Sequence, residues 1–188
     1  ELPVKLTITY LLDVKEVSPE NLAGKSGKLT MRFAYANEQY EYAQVEGTRT
    51  KVYVPFAVVT GMLLDNEVFT NVEVSGGKLI NDGDRMVVMG YALPGLQENL
   101  GVDSEKLDFP ESFEVTADVK DFEMGMTVTI ATNDLFDSVD MDNEDLVDGL
   151  NGALGELTDA MAQLMDGSSQ LYDGLCTLLE KSGELVSG

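Results

Sequence analysis

The sequence contains no histidine, no tryptophan and a single cysteine, Cys176. Without histidine the chain lacks the most common general base, the most common metal ligand and the side chain that titrates near neutral pH. One cysteine cannot form a disulfide within the chain, and with no histidine to activate it Cys176 is a weak candidate nucleophile. The sequence therefore predicts neither a catalytic residue nor a cofactor, and we do not expect an enzyme.

Basic residues are scarce as well. The chain has 12 Lys and Arg against 34 Asp and Glu, which gives a net charge of −22. Such a protein repels phosphate backbones and anionic lipid surfaces, so nucleic-acid binding is not expected. The longest apolar stretch, residues 52–64, is too short to span a bilayer and is interrupted by Pro55 and Gly61. Apolar residues still make up 44% of the chain, which is typical of a protein with a folded core.

Alternation of apolar and polar residues with a period of two predicts β-strands over most of residues 1–133. The runs that show it are 4–12, 29–35, 52–58, 113–119 and 126–130. Each run has one apolar and one polar face, which is typical of antiparallel sheets with one face in water. Turn residues predict a hairpin at 75–78, a second turn at 81–84 and a one-turn helix that begins after Ser18. We therefore predict an antiparallel sandwich or barrel-like domain over residues 1–133.

The pattern changes after Asn133. Residues 134–188 contain 13 acidic residues and one basic residue, and leucine recurs every seven residues from position 150 to position 185. A second row lies four residues after each leucine, which is the 4-3 spacing of a coiled coil. The predicted helix-packing seam consists of Leu150, Leu154, Leu157, Met161, Leu164, Leu171, Leu175, Leu178 and Leu185, with serine at positions 168 and 182. The fold class is therefore α+β overall: a mainly β domain followed by a helical heptad segment over residues 134–188.

Small residues follow the leucines at a spacing of three. This small-residue stripe consists of Ala153, Ala160, Gly167, Gly174 and Gly188, and Lys181 interrupts it. Small side chains let two helices approach closely, so the stripe predicts packing against a partner helix or surface. Three partners stay open: a later repeat of the same chain, the β domain, or a second copy. The helix could also run straight or fold back near Gly167.

Two motifs resemble known ligand loops and do not complete them. The Gly-Lys-Ser at 24–26 lacks the glycine five residues earlier that a phosphate-binding loop requires, because that position is Pro19. Residues 140–151 begin like a calcium loop, but their sixth position is Asp145 instead of glycine. We therefore predict no metal site, although a loose cation site within 137–142 stays open.

The heptad pattern resembles that of a known group of membrane proteins. The repeats at 163–167, 170–174 and 184–188 place leucine and glycine as in the Leu/Gly arrays of Firmicute membrane proteins, including the YhgE/Pip (phage infection protein) group. The segments 18–28, 54–61, 94–98 and 131–135 resemble the β-rich part of gut-Firmicute proteins that carry such an array and a membrane anchor. The resemblance implies an extracytoplasmic, membrane-tethered location and implies no activity. It also suggests that the chain is part of a longer protein, with any anchor outside these residues.

Two functions follow from these observations. The first is a structural or interaction module of a membrane-anchored surface protein, in which the heptad helix serves as stalk or oligomerisation element. The alternative is an adhesin-type β module that binds a carbohydrate or a peptide. Five aromatic residues are candidates for a glycan-stacking platform or for the core: Phe33, Tyr35, Tyr40, Tyr42 and Tyr53. A contiguous exposed aromatic patch would favour the alternative.

Overall fold

The computed structural model describes residues 3–45, 47–81, 85–101, 103–105, 108–137 and 146–187. Within that description, the side chains of 85, 137, 146–148, 179, 180 and 182–187 are not covered. The described residues form, in chain order, β1 Val4–Leu12, β2 Lys15–Val17, α1 Pro19–Leu22, β3 Gly27–Asn37, β4 Tyr40–Val45, β5 Thr48–Tyr53, β6 Ala57–Asp65, β7 Phe69–Ser75, β8 Gly77–Asn81, β9 Arg85–Ala92, α2 Leu96–Leu100, β10 Ser112–Val119, β11 Thr127–Thr132, a 3-10 turn at Asp134–Asp137 and α3 Leu146–Ser187.

The strands form three antiparallel sheets. The first has the order β2-β1-β3-β10-β7, the second has the order β11-β6-β9-β8, and β4 and β5 form a separate two-stranded hairpin. One buried apolar cluster joins the two larger sheets face to face. The predicted fold class is therefore confirmed: a mainly β, antiparallel, sandwich-like arrangement followed by a C-terminal helix. The predicted one-turn helix is also present as α1, with Ser18 at its N-cap and Pro19 in its first turn.

The centre of the sandwich is a pair of stacked rings. Phe33 on β3 and Phe113 on β10 lie side by side with ring centroids 4.7 Å apart and planes 3° from parallel. Gly90 on β9 faces them from the other sheet, and a Cβ atom there would lie 2.3 Å from the ring of Phe113. The absence of a side chain at position 90 therefore lets the phenylalanine ring lie directly on the opposite backbone.

Strand β6 differs from the predicted strands, which have one buried and one solvent-exposed face. Its even-numbered residues, such as Val58 and Met62, belong to the core between the sheets. Its odd-numbered residues pack on the other side: Val59 lies in a cluster with side chains of α3, and Gly61 faces Met165. Because the helix covers the outer face of the sheet, β6 is buried on both faces, and its apolar run is continuous.

The predicted hairpin at residues 75–78 is wrong. β7 pairs with β10 in the five-stranded sheet, whereas β8 pairs with β9 in the four-stranded sheet. Gly76, with φ of +69°, carries the chain from one sheet to the other. A Cβ on Gly77 would lie 2.2 Å from the carbonyl oxygen of Met89, so this position also requires glycine. The turn residues were identified correctly, but the strands that follow them pair elsewhere. β8 and β9 do form a hairpin, and residues 82–84 of its turn lie outside the description.

A chain of hydroxyl groups crosses the apolar core. The hydroxyl of Tyr35 on β3 lies 2.5 Å from Thr60 Oγ1 on β6, which in turn lies 2.6 Å from Thr129 Oγ1 on β11. Thr60 is fully buried and Tyr35 nearly so. Burial raises the pKa of Tyr35 above its usual value of 10.0, and the hydrogen bonds offset part of that rise. The chain thus links three strands from two sheets: Tyr35 and Thr60 are buried, whereas Thr129 is exposed.

Replacing Thr60 by valine is expected to lower the free energy of unfolding by about 1–3 kcal/mol, because the buried hydroxyl of Tyr35 loses its partner. Urea denaturation measures the loss, and a Tyr35→Phe/Thr60→Val pair should recover part of it.

Since the folded-state pKa of Tyr35 lies above 10.0, the neutral phenol stabilises the fold below pH 10, and this contribution is lost as the pH rises through the folded value. An alkaline stability profile unchanged by Tyr35→Phe would contradict this assignment.

Candidate interaction surfaces

Helix α3 is one continuous helix. It extends over 42 residues, Leu146–Ser187, without a break at residues 167–169. At 1.5 Å per residue this length corresponds to about 63 Å. Of the two alternatives that the sequence left open, a straight helix or a fold-back near Gly167, the straight helix is the observed one.

The first half of α3 packs on the outer face of the four-stranded sheet. Leu150 and Leu154 join a cluster with residues of α2 and of the 3-10 turn. Further along, Met161 and Met165 pack on Val59 and Met89. Gly61 provides the space for them, since a Cβ at that position would lie 2.1 Å from Met165 Sδ. The sheet and the helix therefore share a core, and the boundary predicted at residue 133 separates strands from helix within one packed structure.

The leucine row turns away from the sheet along the helix. Leu150 is buried and Leu157 is partly buried, whereas Leu164, Leu171 and Leu178 are 47%, 67% and 65% exposed. A strict seven-residue repeat drifts by about 20° per heptad around a straight α-helix. After two heptads the leucines have therefore left the contact line, and Met165 takes the place that the repeat assigns to Leu164.

The predicted seam is thus divided between two environments. The first four seam residues contact the sheet or the buried cluster beside it: Leu150, Leu154, Leu157 and Met161. Four later seam residues are exposed: Leu164, Leu171, Leu175 and Leu178. The side chain of Leu185 lies outside the description. Two buried helix residues, Met165 and Ser169, were missed because the coiled-coil period was applied to a helix that packs on a sheet. A period of 3.6 that runs through Leu154 and Met161 would have included Met165.

The small-residue stripe has no described neighbour at Gly167 or Gly174. Ala153 is half-buried and Ala160 is exposed. A Cβ atom added to Gly167 or Gly174 would meet nothing within 4 Å, and Gly188 lies outside the described residues. Close packing along this stripe stays a prediction, and the space it requires is open at Gly167 and Gly174.

The acidic residues of α3 lie away from the exposed leucines. Asp159, Asp166 and Asp173 also recur every seven residues. At 100° per residue they lie roughly opposite the row formed by Leu164 and Leu171. The positions that flank the leucine row carry glycine, methionine and tyrosine instead of charge between residues 165 and 174. We call Leu164, Leu171, Leu175 and Leu178 the exposed leucine face; it is uncharged on a strongly acidic protein.

The β4–β5 hairpin carries a second unusual surface. Its register places Tyr40 opposite Tyr53 and Tyr42 opposite Lys51, with Arg49 next along β5. Because alternate residues of a strand share a face, these five side chains lie on one side of the hairpin. Tyr40 and Tyr42 are 47% and 56% exposed. We call these five residues the tyrosine–cation face.

The cations of this face lie on its rings. The guanidinium carbon of Arg49 is 4.4 Å from the ring centroid of Tyr42. Lys51 Nζ lies 4.3 Å from the centroid of Tyr40 and 4.0 Å from that of Tyr53, and it donates a hydrogen bond to the Tyr53 hydroxyl. That hydrogen bond is the main cause of a raised pKa at Lys51. Within the described part of the chain, no carboxylate lies within 4.0 Å of either cation.

Tyr53 is held from behind by α2 and the loop before it. The Tyr53 backbone N–H donates to Asn99 Oδ1, and the Asn99 amide donates to the Tyr53 carbonyl, each at 2.7 Å. A Cβ on Gly95 would lie 2.8 Å from the ring of Tyr53. The Asn37 side chain, at the end of β3, donates to the carbonyl of Val54 at 2.7 Å. The hairpin base is thereby fixed to the sandwich, although β4 itself is exposed throughout.

The five aromatic candidates divide between core and surface. Phe33 and Tyr35 are buried between the sheets. Tyr40, Tyr42 and Tyr53 form edge-to-face pairs on the hairpin, with centroids 5.8 Å and 6.1 Å apart. This contiguous exposed patch is the feature that, on the sequence alone, would favour a ligand-binding module.

Among the described residues, no Asp or Glu is buried, and no three potential ligands gather into a metal-binding group. The side chain of Asp137 and residues 138–145 lie outside the description, so the loose cation site stays open. None of the described helices combines the length and the apolar character that crossing a membrane requires.

No family model matches the chain, and no curated protein or solved structure is significantly similar to it. The candidate functional features of the chain are therefore its two surfaces, the exposed leucine face of α3 and the tyrosine–cation face of the hairpin.

Proposed function

We propose that this chain is a non-catalytic association module, in which the sandwich holds one half of α3 and the other half pairs with the same helix of a second copy. The exposed leucine face carries the proposal. Four large apolar side chains, Leu164, Leu171, Leu175 and Leu178, are about half to two-thirds exposed on a continuous helix. Large exposed apolar patches on a soluble surface commonly mark interaction sites.

The strict heptad spacing supports a helical partner. Packing on the sheet does not account for the heptad spacing, since Leu164 and Leu171 of this repeat are exposed and lie outside the contact between helix and sheet. A seven-residue repeat is matched by another helix, because two helices that supercoil around each other keep such a row at their interface. Gly167 and Gly174, with open space beside them, would let the backbones approach closely.

The distribution of charge on α3 permits a second copy as that partner. Two proteins with a charge of −22 repel each other at long range. The aspartates of α3, among them Asp166 and Asp173, lie roughly opposite the exposed leucine face, so pairing would not bring these carboxylates together. The pairing would therefore be weak at low salt and stronger when salt screens the long-range repulsion.

We also propose that the module acts outside the cytoplasm as part of a membrane-anchored protein. The resemblance of its Leu/Gly heptads to those of Firmicute surface proteins supports this location. Protease added to intact cells that carry the protein should then remove the module. Full protection of the module in intact cells, with digestion after lysis, would contradict the proposed location.

Replacing Leu178 by glutamate is expected to weaken self-association at least tenfold, because the carboxylate would have to be desolvated at the interface. Sedimentation velocity over a concentration series measures the change. Thr177→Glu is the matched control: it adds the same charge one residue away, beside the row of aspartates, and should weaken association far less. Both side chains are exposed, so neither variant should change the unfolding of the monomer. Equal effects of the two variants would contradict pairing through the leucine face.

Two further measurements sharpen this test. Gly167→Ala and Gly174→Ala should each stabilise the isolated helix by about 1 kcal/mol, since nothing occupies the space, yet weaken association. Gly155→Ala, whose added Cβ also has no atom within 4 Å, should stabilise the helix and leave association unchanged.

Cys176 is exposed and is the only cysteine in the sequence, so one nitroxide label there reports the distance between two paired helices. Absence of dipolar coupling between labels at concentrations that show dimers would place the interface elsewhere.

A further inference from the structure

The two cations of the hairpin lie in an unusual setting for so acidic a chain. With 34 acidic residues available, Arg49 and Lys51 have no described carboxylate within 4.0 Å and lie instead against the rings of Tyr40, Tyr42 and Tyr53. A cation against an aromatic ring keeps its charge and most of its N–H donors. The donors of Arg49 and Lys51 are therefore positioned on a surface where an anion could accept them.

The tyrosine–cation face is also held in place by the rest of the protein. A two-stranded hairpin is marginally stable by itself, and packing on other elements is needed to fix it. Here Tyr53 is held by both hydrogen bonds of Asn99 and by the close approach of Gly95. Groups that are held in place before binding lose less entropy when a ligand arrives. This arrangement is suited to recognition.

The chemistry of the face indicates the ligand class. Neither cation has a described carboxylate within 4.0 Å, although Glu98 is near enough to contribute to the raised pKa of Lys51. Two cations on one face favour a negatively charged ligand, and the Arg49 guanidinium can bind a carboxylate through two hydrogen bonds. The net charge of −22 disfavours densely charged polymers such as nucleic acids. Tyrosine rings offer flat apolar surfaces with a polar edge, which suits a ring that has C–H faces and hydroxyl groups.

We infer that the tyrosine–cation face binds an acidic saccharide, with Arg49 and Lys51 holding its carboxylates and the tyrosines contacting its sugar rings. This site is independent of the helix pairing proposed above. A Leu178→Glu variant should therefore bind the saccharide like the unaltered protein, and loss of one function would leave the other measurable.

The test uses a short oligogalacturonide and its methyl ester, which has the same sugar rings without the charge. Isothermal titration calorimetry should detect the acid and not the ester, and amide signals of residues 40–45 and 48–53 should shift in NMR spectra. Arg49→Gln and Lys51→Gln are each expected to reduce affinity about tenfold to a hundredfold, because each removes charge-assisted hydrogen bonds. Lys5→Gln removes an equal charge from an exposed position on β1 and should leave affinity within about twofold.

Three outcomes would overturn the inference. Equal binding of acid and ester would remove the role of the cations, and unchanged affinity in both Arg49→Gln and Lys51→Gln would place the site elsewhere. Single-stranded DNA binding as tightly as the oligogalacturonide would indicate a general polyanion surface. Arg49→Lys is the conservative control for misfolding of the hairpin. It keeps the charge and loses the two-point hydrogen bond, so its affinity should fall between those of the unaltered protein and Arg49→Gln.

Discussion

Replacement of Phe113 by alanine is expected to lower the free energy of unfolding by about 3–5 kcal/mol. The ring is fully buried, stacks on Phe33 at 4.7 Å and lies 6.2 Å from the ring of Tyr35. It fills the space between the two larger sheets, and neither sheet can collapse into the vacancy without breaking its own hydrogen-bonded ladder. Urea denaturation followed by far-ultraviolet circular dichroism measures the loss, with the unaltered protein as reference.

A double-mutant cycle with Gly90 makes this prediction specific. Gly90→Ala alone should cost about 1–3 kcal/mol, since its Cβ would lie 2.3 Å from the ring of Phe113. In the Phe113→Ala background the same methyl group enters empty space and should cost little or restore stability. The coupling between the two sites is therefore expected to be about 1–3 kcal/mol. Strictly additive effects would show that Phe113 and Gly90 are not in contact.

The second large effect is expected where the helix rests on the sheet. Met161→Ala and Met165→Ala should each lower the free energy of unfolding by about 2–5 kcal/mol, because both side chains are buried against Val59 and Met89. Leu171→Ala should cost about 0.5 kcal/mol or less in the monomer, since that side chain is two-thirds exposed. The measurement requires a protein concentration below that of self-association.

Gly61 provides an independent check on the same contact. Gly61→Val should displace the helix, because the added side chain would occupy the positions of Met165 Sδ and Met161 Cγ. Hydrogen exchange should then accelerate in α3 and in β6, while β1 and β3 remain protected. If Leu171→Ala cost as much as Met165→Ala, the helix would instead contact the sheet through its leucine row.

Much of the secondary structure follows from local patterns. The alternation in 29–35 and 113–119 correctly predicts β3 and β10, and Ser18 with Pro19 correctly predicts α1. The stretch 52–58 is a partial failure: β5 ends at Tyr53, and β6 begins only at Ala57. The proline at position 55 signalled that interruption, because it cannot donate to a sheet ladder. The heptad row likewise predicted a helix correctly and misassigned its buried face.

What the sequence by itself determined is therefore the type and approximate position of each element, since side-chain periodicity and turn residues act over a few neighbours. The pairing of β7 with β10 instead of β8 was decided by tertiary structure, as was the burial of Met165 in place of Leu164. Both depend on contacts between residues distant in the chain. The two candidate surfaces have the same origin. The sheet covers only half of the heptad helix, and among the described strands β4 pairs with β5 alone, so the exposed tyrosines of the hairpin stay outside the core.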